Sequence, residues 1–190
     1  AGNAEGVFLH VPKGVALDGL LSVVHFTHAQ NATLCPHALC LLEENTQASL
    51  VQSLHSLSPS PAFVCEETEI FLGKNAALNH SGIQNLDTLV RCQRAQAAVL
   101  GEGARLRDFS TQLGAKLDRR ECNVQLAGAR ADARLFSVGV PCKGQCFDQR
   151  TYQGHLAPDT SSDLFYKNGV LAQGRSVFSG MIDVKPKAQG

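Results

Sequence analysis

The chain has 190 residues, of which 44% are hydrophobic and 18% charged, and 17 basic and 17 acidic side chains leave a formal net charge of zero. This length suits one domain with a substantial core, and the apolar fraction excludes a solvated, disordered coil. Neutral charge argues against nucleic-acid binding, and no apolar run approaches the roughly 18 residues that a membrane span needs. We therefore expect a globular domain whose partners are neither nucleic acids nor membranes.

Short stretches that alternate apolar and polar residues predict β-strands along most of the chain. In chain order they are residues 7–9, 21–26 and 39–42, four stretches between 101 and 140, and finally Leu164–Tyr166 and Ser176–Val184. The prolines of Ser56–Pro61 predict a loop between strands. The one predicted helix is short and covers Leu86–Ala98.

Gly-Ala pairs precede several of the later strands, at residues 103–104, 114–115 and 128–129. Glycine supplies the positive φ that a tight corner requires, and alanine fits where the chain turns inward. A strand–corner–strand unit repeated on this scale falls within the roughly 20–50-residue periods of solenoids, and the few aromatic residues suit a narrow stacked core. An antiparallel sandwich or barrel, whose strands recur at about 8–12 residues, stays open from the pattern alone.

The seven cysteines are an odd number, which favours free thiols in a reducing compartment such as the cytosol. The tightest pair, Cys142 and Cys146, has no second matching pair, so unpaired thiols are favoured over a zinc site. Cys35 and His37 would share one face of a strand, but the proline between them predicts a strand start or an edge strand. These four residues are the candidate metal ligands, and we predict that none holds a metal.

No enzyme signature is complete in this chain. Gly101–Leu106 begins like a dinucleotide-binding loop but lacks its final glycine, and Gly73-Lys74 lacks the upstream glycine and the Ser/Thr of a phosphate loop. The aspartates are spread widely along the chain. Carboxylates could stack from one solenoid coil to the next, but the sequence selects no pair, and we expect a protein without catalysis of its own.

The most distinctive segment lies near the carboxyl end, where glycines separate the last two predicted strands. Its characteristic residues are His155, Pro158, Thr160, Ser162, Tyr166, Lys167, Phe178, Gly180, Ile182, Val184, Ala188 and Gln189. This arrangement closely resembles the SufB/SufD family of iron–sulfur cluster assembly scaffolds, which carries a His, then Pro and Thr-x-Ser, Tyr-Lys-Gly, Phe-x-Gly-x-Ile-x-Val and Ala-Gln. Asn168 stands where the family usually has glycine, although asparagine also tolerates the left-handed conformation. Residues 10–15, 39–44, 113–117 and 126–128 also look like this family, so the resemblance covers nearly the whole chain.

The resemblance implies an all-β fold, a right-handed parallel β-helix with few or no helices. Residues 1–190 would form the β-helix core, truncated at both ends relative to the full-length protein. The lack of tryptophan indicates the SufD branch, because the SufB branch carries a Trp-rich stretch before the His motif. In the family the proposed cluster ligands follow the Ala-Gln motif, beyond Gly190, so no cofactor is expected on this chain. The motif residues present here are expected to be structural, with His155 and Lys167 fixing corners.

The function that the resemblance implies is that of a non-catalytic scaffold subunit. Its partners would be a SufB-like scaffold subunit and a SufC-like ATPase, in the cytoplasm or the plastid stroma, and the complex would assemble an iron–sulfur cluster transiently. Two alternatives stay open. A β-helix carbohydrate-active enzyme would need stacked acidic residues along an exposed groove, and a zinc-binding structural domain would need two ligands besides Cys142 and Cys146.

Overall fold

The strands of this chain follow one another with short corners and almost no other secondary structure. The computed structural model describes residues 3–28 and 31–189. Within those residues the strands are β1 Asn3–Val11, β2 Ala16–Thr27, β3 Ala32–Leu42, β4 Gln47–Ser56, β5 Ala62–Leu72, β6 Ala77–Asn85, β7 Arg91–Leu100, β8 Arg105–Gln112, β9 Leu117–Leu126, β10 Asp132–Gly139, β11 Cys146–His155, β12 Ser161–Asn168 and β13 Arg175–Val184. A single 3₁₀ turn covers Pro186–Ala188, and no helix in the described part of the chain is long and apolar enough to cross a membrane.

Strands of odd and even number form two separate sheets. In the described residues the order is β1-β3-β5-β7-β9-β11-β13 in one sheet and β12-β10-β8-β6-β4-β2 in the other, and neighbouring strands are parallel. One odd strand and the even strand after it therefore form one coil, and about six coils stack into a β-solenoid. A coil takes between 26 and 31 residues, because Arg91 pairs with Leu117 whereas Asn3 pairs with Leu34. The predicted parallel solenoid is confirmed, and the antiparallel sandwich or barrel is excluded.

The corner that follows each odd strand contains one residue in the left-handed conformation. From β1 to β11 these residues are Gly14, Asn45, Asn75, Gly103, Arg130 and Asp159, and their φ angles lie between 55° and 77°. The backbone N–H of Asn45 donates to the Lys74 carbonyl, and that of Asn75 donates to the Glu102 carbonyl, both at 2.8 Å. Each corner is thus hydrogen-bonded to the corner of the next coil, which keeps the bends in register.

Glycine has a different role at the corner before β9. The residue with positive φ there is Ala115 (φ 62°), not Gly114. A Cβ atom at Gly114 would lie 1.8 Å from the Leu86 carbonyl oxygen of the coil before it. The Gly-Ala pairs therefore do mark corners, but only Gly103 supplies the positive φ that the sequence predicted for all three.

Two further expectations about local structure are wrong. The predicted helix over Leu86–Ala98 is instead the corner before β7 and most of that strand. Pro36 was expected at a strand start or edge, but it is buried within β3, which lies between β1 and β5. The missing Pro36 N–H is accommodated by an interruption in the β3–β5 register between Leu34 and His37. The loop predicted around the prolines of Ser56–Pro61 is confirmed between β4 and β5.

Two hydrophobic clusters fill the two ends of the flattened interior. The larger contains Leu42, Leu72, Leu100 and Leu126, which end successive odd strands one above another. The smaller lies at the opposite corner and includes Leu54, Val64, Leu86, Val90, Cys92 and Ala115. Between the two clusters the inward positions are polar, and this layer contains the candidate site.

Candidate functional site

A layer of charged and amide side chains crosses the middle of the solenoid. Its members point inward from neighbouring strands of both sheets and are nearly inaccessible to solvent. They are Gln52, His80, Gln84, Arg94, Gln96, Asp108, Gln112, Asp118, Arg120, Ser137 and Gln149. Buried charges are costly unless they are paired and hydrogen-bonded, so the contacts of this layer determine what it can do.

Asp108 on β8 is the first centre of the layer. Its carboxylate accepts hydrogen bonds from His80 Nδ1 and Arg120 Nη2, both at 2.7 Å, and from Gln96 Nε2 at 3.2 Å. Burial alone would raise the pKa of Asp108, but the Arg120 charge and the hydrogen bond from His80 outweigh it and hold that pKa well below its usual range. His80 Nε2 lies 2.7 Å from Gln52 Oε1 on β4, so the His80 ring links the Asp108 carboxylate to the coil that precedes its own.

Asp118 at the start of β9 is the second centre. Arg94 donates to the Asp118 carboxylate from Nε at 3.1 Å and from Nη2 at 2.7 Å. This bidentate ion pair is almost fully buried. The amides of Gln84 and Gln112 each donate a further hydrogen bond at 2.9 Å. The four donors satisfy the carboxylate, and charge-assisted bonds of this kind are the stronger class of hydrogen bond.

A small cavity of about 20 Å³ lies inside this layer, next to the Asp108 centre. Gln52, Thr68, His80, Arg94 and Arg120 contribute to its wall. A cavity of this size holds about one water molecule, and its wall is polar enough to bind one. It is too small for a sugar or a nucleotide, so the layer is a packed polar core and not a substrate pocket.

The C-terminal motif supports this layer from the last coils. Arg120 Nη1 donates to the Tyr166 hydroxyl at 2.6 Å, which ties the motif tyrosine on β12 to the Asp108 centre. Burial raises the pKa of Tyr166, so its hydroxyl stays protonated. Phe178 on β13 packs edge-on against Tyr166, with 5.7 Å between the ring centroids. A Cβ atom at Gly180 would lie 2.9 Å from the Phe178 ring and 3.0 Å from Thr151 Oγ1, which explains why the motif has glycine there.

His155 fixes the corner between β11 and β12. The Thr160 hydroxyl donates to the Ala157 carbonyl at 3.1 Å, so its oxygen accepts the hydrogen bond from His155 Nδ1 at 2.8 Å. His155 Nε2 lies 3.0 Å from the Ser162 hydroxyl, and the Pro158 carbonyl accepts the backbone N–H of Arg130 from the preceding coil at 3.2 Å. These contacts give four of the motif residues a structural role at one corner.

The remaining motif residues lie on or after the last two strands. Lys167 is within β12 and not at a corner, and its ammonium group lies 6.0 Å from the centre of the Phe165 ring. Asn168, which stands where the family has glycine, donates from Nδ2 to Gln149 and Ser176 at 2.8 and 2.7 Å. Ala188 is buried in the 3₁₀ turn that follows β13, and Gln189 is exposed after it.

The candidate metal ligands lie apart from this layer. Cys142 is exposed in the corner before β11, and Cys146 is the first residue of that strand. Cys35 lies partly exposed on β3, and His37 on the same strand contacts Glu69 at 3.1 Å. Among residues 3–28 and 31–189, no three His, Cys, Asp or Glu side chains come together as a metal site would require.

On the outer surface of the odd-numbered sheet, carboxylates of β9 and β11 are paired with arginines. Arg119 contacts Glu121 and Arg150 contacts Asp148. The layer around Asp108 and Asp118 was not predicted as a site, because the sequence gives no register that places residues of different coils together. The signal that could have found it is the recurrence of Gln, His, Asp and Arg at inward positions of successive strands.

The parallel two-sheet solenoid and the C-terminal motif define this chain as a β-helical core domain. Comparisons with known proteins show the family to which the domain belongs. The model of the SUF system FeS cluster assembly SufBD core domain matches residues 25–190. An iron–sulfur cluster assembly SufBD family protein of Staphylococcus epidermidis is 26% identical over 189 residues, covering 97% of this chain and 40% of that protein. The iron–sulfur cluster assembly protein SufD of Escherichia coli is 26% identical over 182 residues, covering 96% of this chain and 40% of that protein.

This chain belongs to the SufBD family. It spans about 40% of the length of the curated relatives that it matches. The family resemblance inferred from the C-terminal motif is therefore confirmed.

Proposed function

We propose that this chain is the β-helix core of a SufD-type scaffold subunit that takes part in iron–sulfur cluster assembly without catalysing a reaction itself. The observation that carries the proposal is the match to the SufBD core domain over residues 25–190. The SufD protein of Escherichia coli is among the relatives, and the lack of tryptophan in the chain also favours the SufD branch. The iron–sulfur cluster is the cargo of the complex in this proposal, not a resident cofactor of this chain.

The physical basis of a scaffold role is a rigid surface. Stacked corners and the buried ion pairs around Asp108 and Asp118 hold successive coils to one another. On β13 the inward-facing Phe178, Ile182 and Val184 are 49%, 61% and 46% exposed, so this end of the stack presents apolar surface and a strand edge. Such an edge favours pairing with a further strand, which either the rest of the full-length protein or a SufB-like subunit would supply.

The proposed partners are a SufB-like scaffold subunit and a SufC-like ATPase, in the cytoplasm or the plastid stroma. ATP hydrolysis belongs to the SufC-like subunit in this proposal. The carbohydrate-active alternative is less favoured, because Asp108 and Asp118 are buried in ion pairs and do not line an exposed groove.

The test is co-purification of the full-length, tagged gene product with the SufB-like and SufC-like proteins of the same organism. We expect one complex that contains all three proteins and retains iron and sulfide after anaerobic reconstitution. Omitting each partner in turn is the matched control, and ATPase activity should depend on the SufC-like subunit alone. If the full-length protein binds neither partner, or if it cleaves polysaccharides by itself, the proposal is wrong.

A further inference from the structure

Two cysteines lie side by side on the outer face of the odd-numbered sheet. Leu34 pairs with Val64 and His37 pairs with Glu67 across β3 and β5, so the residues after Leu34 and Val64, Cys35 and Cys65, stand opposite each other. Leu34 and Val64 pack into the smaller hydrophobic cluster, so the next residue on each strand points outward. Both thiols are partly exposed. We propose that Cys35 and Cys65 form a reversible dithiol–disulfide site on this surface.

The spacing of the strands permits the bond. Neighbouring strands lie about 4.7–4.9 Å apart, within the range of about 4.4–6.8 Å that separates the Cα atoms of disulfide-bonded cysteines. The Cβ atoms of opposite residues in parallel strands must approach slightly for an S–S bond to close. Pro36 follows Cys35 and has no N–H, and the β3–β5 register is interrupted there, so the two strands can adjust locally.

The reaction is thiol–disulfide exchange with a low-molecular-weight disulfide of the glutathione type. One cysteine thiolate attacks a sulfur of the oxidant, forms a mixed disulfide and releases one small thiolate. The second cysteine thiolate then attacks the protein sulfur of that mixed disulfide, closes the Cys35–Cys65 bond and releases the second small thiolate. The protein loses two thiol protons and two electrons, and the oxidant is reduced to two thiols.

The surroundings of the pair set its reactivity. Burial, Cys35 and the Glu67 carboxylate, in that order, raise the pKa of Cys65, so less of this thiol is thiolate at neutral pH and the exchange should be faster in a more alkaline buffer. Closing the S–S bond brings the two Cβ atoms nearer than the strand spacing, and a disulfide strained in this way is reduced more readily. The bond should therefore open again under a moderate excess of reduced thiol.

The other cysteines provide internal controls. Cys40, Cys92 and Cys122 point into the hydrophobic interior and are 1%, 2% and 0% exposed, so a soluble oxidant cannot reach them in the folded protein. Cys142 is exposed in a corner, four residues before the partly exposed Cys146, and these two are the competing thiols.

The experiment oxidises the full-length, reduced protein with glutathione disulfide, blocks the remaining thiols and maps the disulfides by peptide mass spectrometry. We expect a peptide pair joined through Cys35 and Cys65, lost again with reduced glutathione. In Cys35→Ser and Cys65→Ser the remaining cysteine should instead carry one glutathione, and Cys142→Ser should still form the bond. Thermal unfolding of each variant verifies that it is folded. Glutathione attached separately to both cysteines of the native protein, or a bridge only between Cys142 and Cys146, would overturn the proposal.

Discussion

The buried carboxylate of Asp108 is expected to be among the most stabilising side chains of the solenoid. Replacing it in Asp108→Asn leaves the Arg120 guanidinium inside the protein without its counter-charge, while changing the side-chain volume very little. Removing one partner of a buried ion pair costs about 3–5 kcal/mol. This is a large fraction of the roughly 5–15 kcal/mol that stabilises a folded domain. With a urea m-value of about 2 kcal/mol/M, the unfolding midpoint should fall by about 1.5–2.5 M.

The assay is equilibrium unfolding in urea, followed by circular dichroism and by tryptic susceptibility so that two probes report on one transition. Asp132→Asn is the matched control, because Asp132 pairs with Arg107 at a partly exposed position and should cost less than about 1 kcal/mol. The double variant Asp108→Asn, Arg120→Met removes both charges, keeps an amide oxygen that can accept from His80 and Gln96, and should be more stable than Asp108→Asn alone. If Asp108→Asn is no more destabilising than Asp132→Asn, the pairing inside the layer does not have the energetic role assigned to it.

Three further predictions concern pH, the motif and assembly. Burial raises the pKa of Cys40 to about 11 and that of Cys122 to about 12, above the roughly 8.5 of an unfolded thiol, so the stability that they contribute is complete below about pH 8.5 and is lost as the pH rises toward those values. Burial raises the pKa of the Cys92 thiol in the same way, so urea unfolding at pH 7 and pH 10 should show a clear loss of stability, and Cys122→Ala should reduce that loss by about 2 kcal/mol. Equal stability at both pH values would contradict this. Tyr166→Phe, which removes the hydrogen bond from Arg120, should lower stability by about 1–2 kcal/mol in a denaturant titration, whereas the exposed Lys167→Ala should change it by less than about 0.5 kcal/mol. Finally, the unpaired edge of β13 predicts that the 190-residue chain self-associates, and a monomeric mass at every concentration in light scattering would refute this.

The strands that the sequence predicted best are those with apolar inward positions. On β9, Cys122, Val124 and Leu126 alternate with polar outward residues, and all three are fully buried. The period of two is visible there because the interior is hydrophobic and the outer face meets water. Where both conditions hold, alternation alone identifies the strand and the face that it buries.

Strands that cross the polar layer were missed or misassigned for the opposite reason. β4 places Gln52 inward and β6 places His80 inward, so their polar residues occupy core positions and hide the alternation. On β7 the inward residues include Arg94 and Gln96, while small apolar residues such as Ala95 face outward. This inverted pattern, combined with the high helix propensity of alanine, produced the incorrect helix over Leu86–Ala98.

The contacts within the layer could not be predicted without the register. Arg120 is 12 residues from Asp108 in the chain and His80 is 28 residues from it, yet both side chains contact the Asp108 carboxylate. Coils differ in length from 26 to 31 residues, so a fixed period would pair the wrong residues. A motif of particular residue types can be recognised from the sequence, whereas the contacts between coils depend on the length of each corner.

The C-terminal motif divides into two parts with different physical consequences. His155, Thr160 and Tyr166 are satisfied by contacts within the described coils, so they stabilise the corner between β11 and β12 and join it to the buried ion pairs. Phe178 and Ile182 also face the interior, yet about half or more of each side chain is exposed. Burying these two side chains against a further strand would contribute roughly 1–3 kcal/mol for each, in proportion to the surface covered. The first part of the motif therefore holds the last described coils together, and the second part leaves apolar surface on β13 that a further strand would cover.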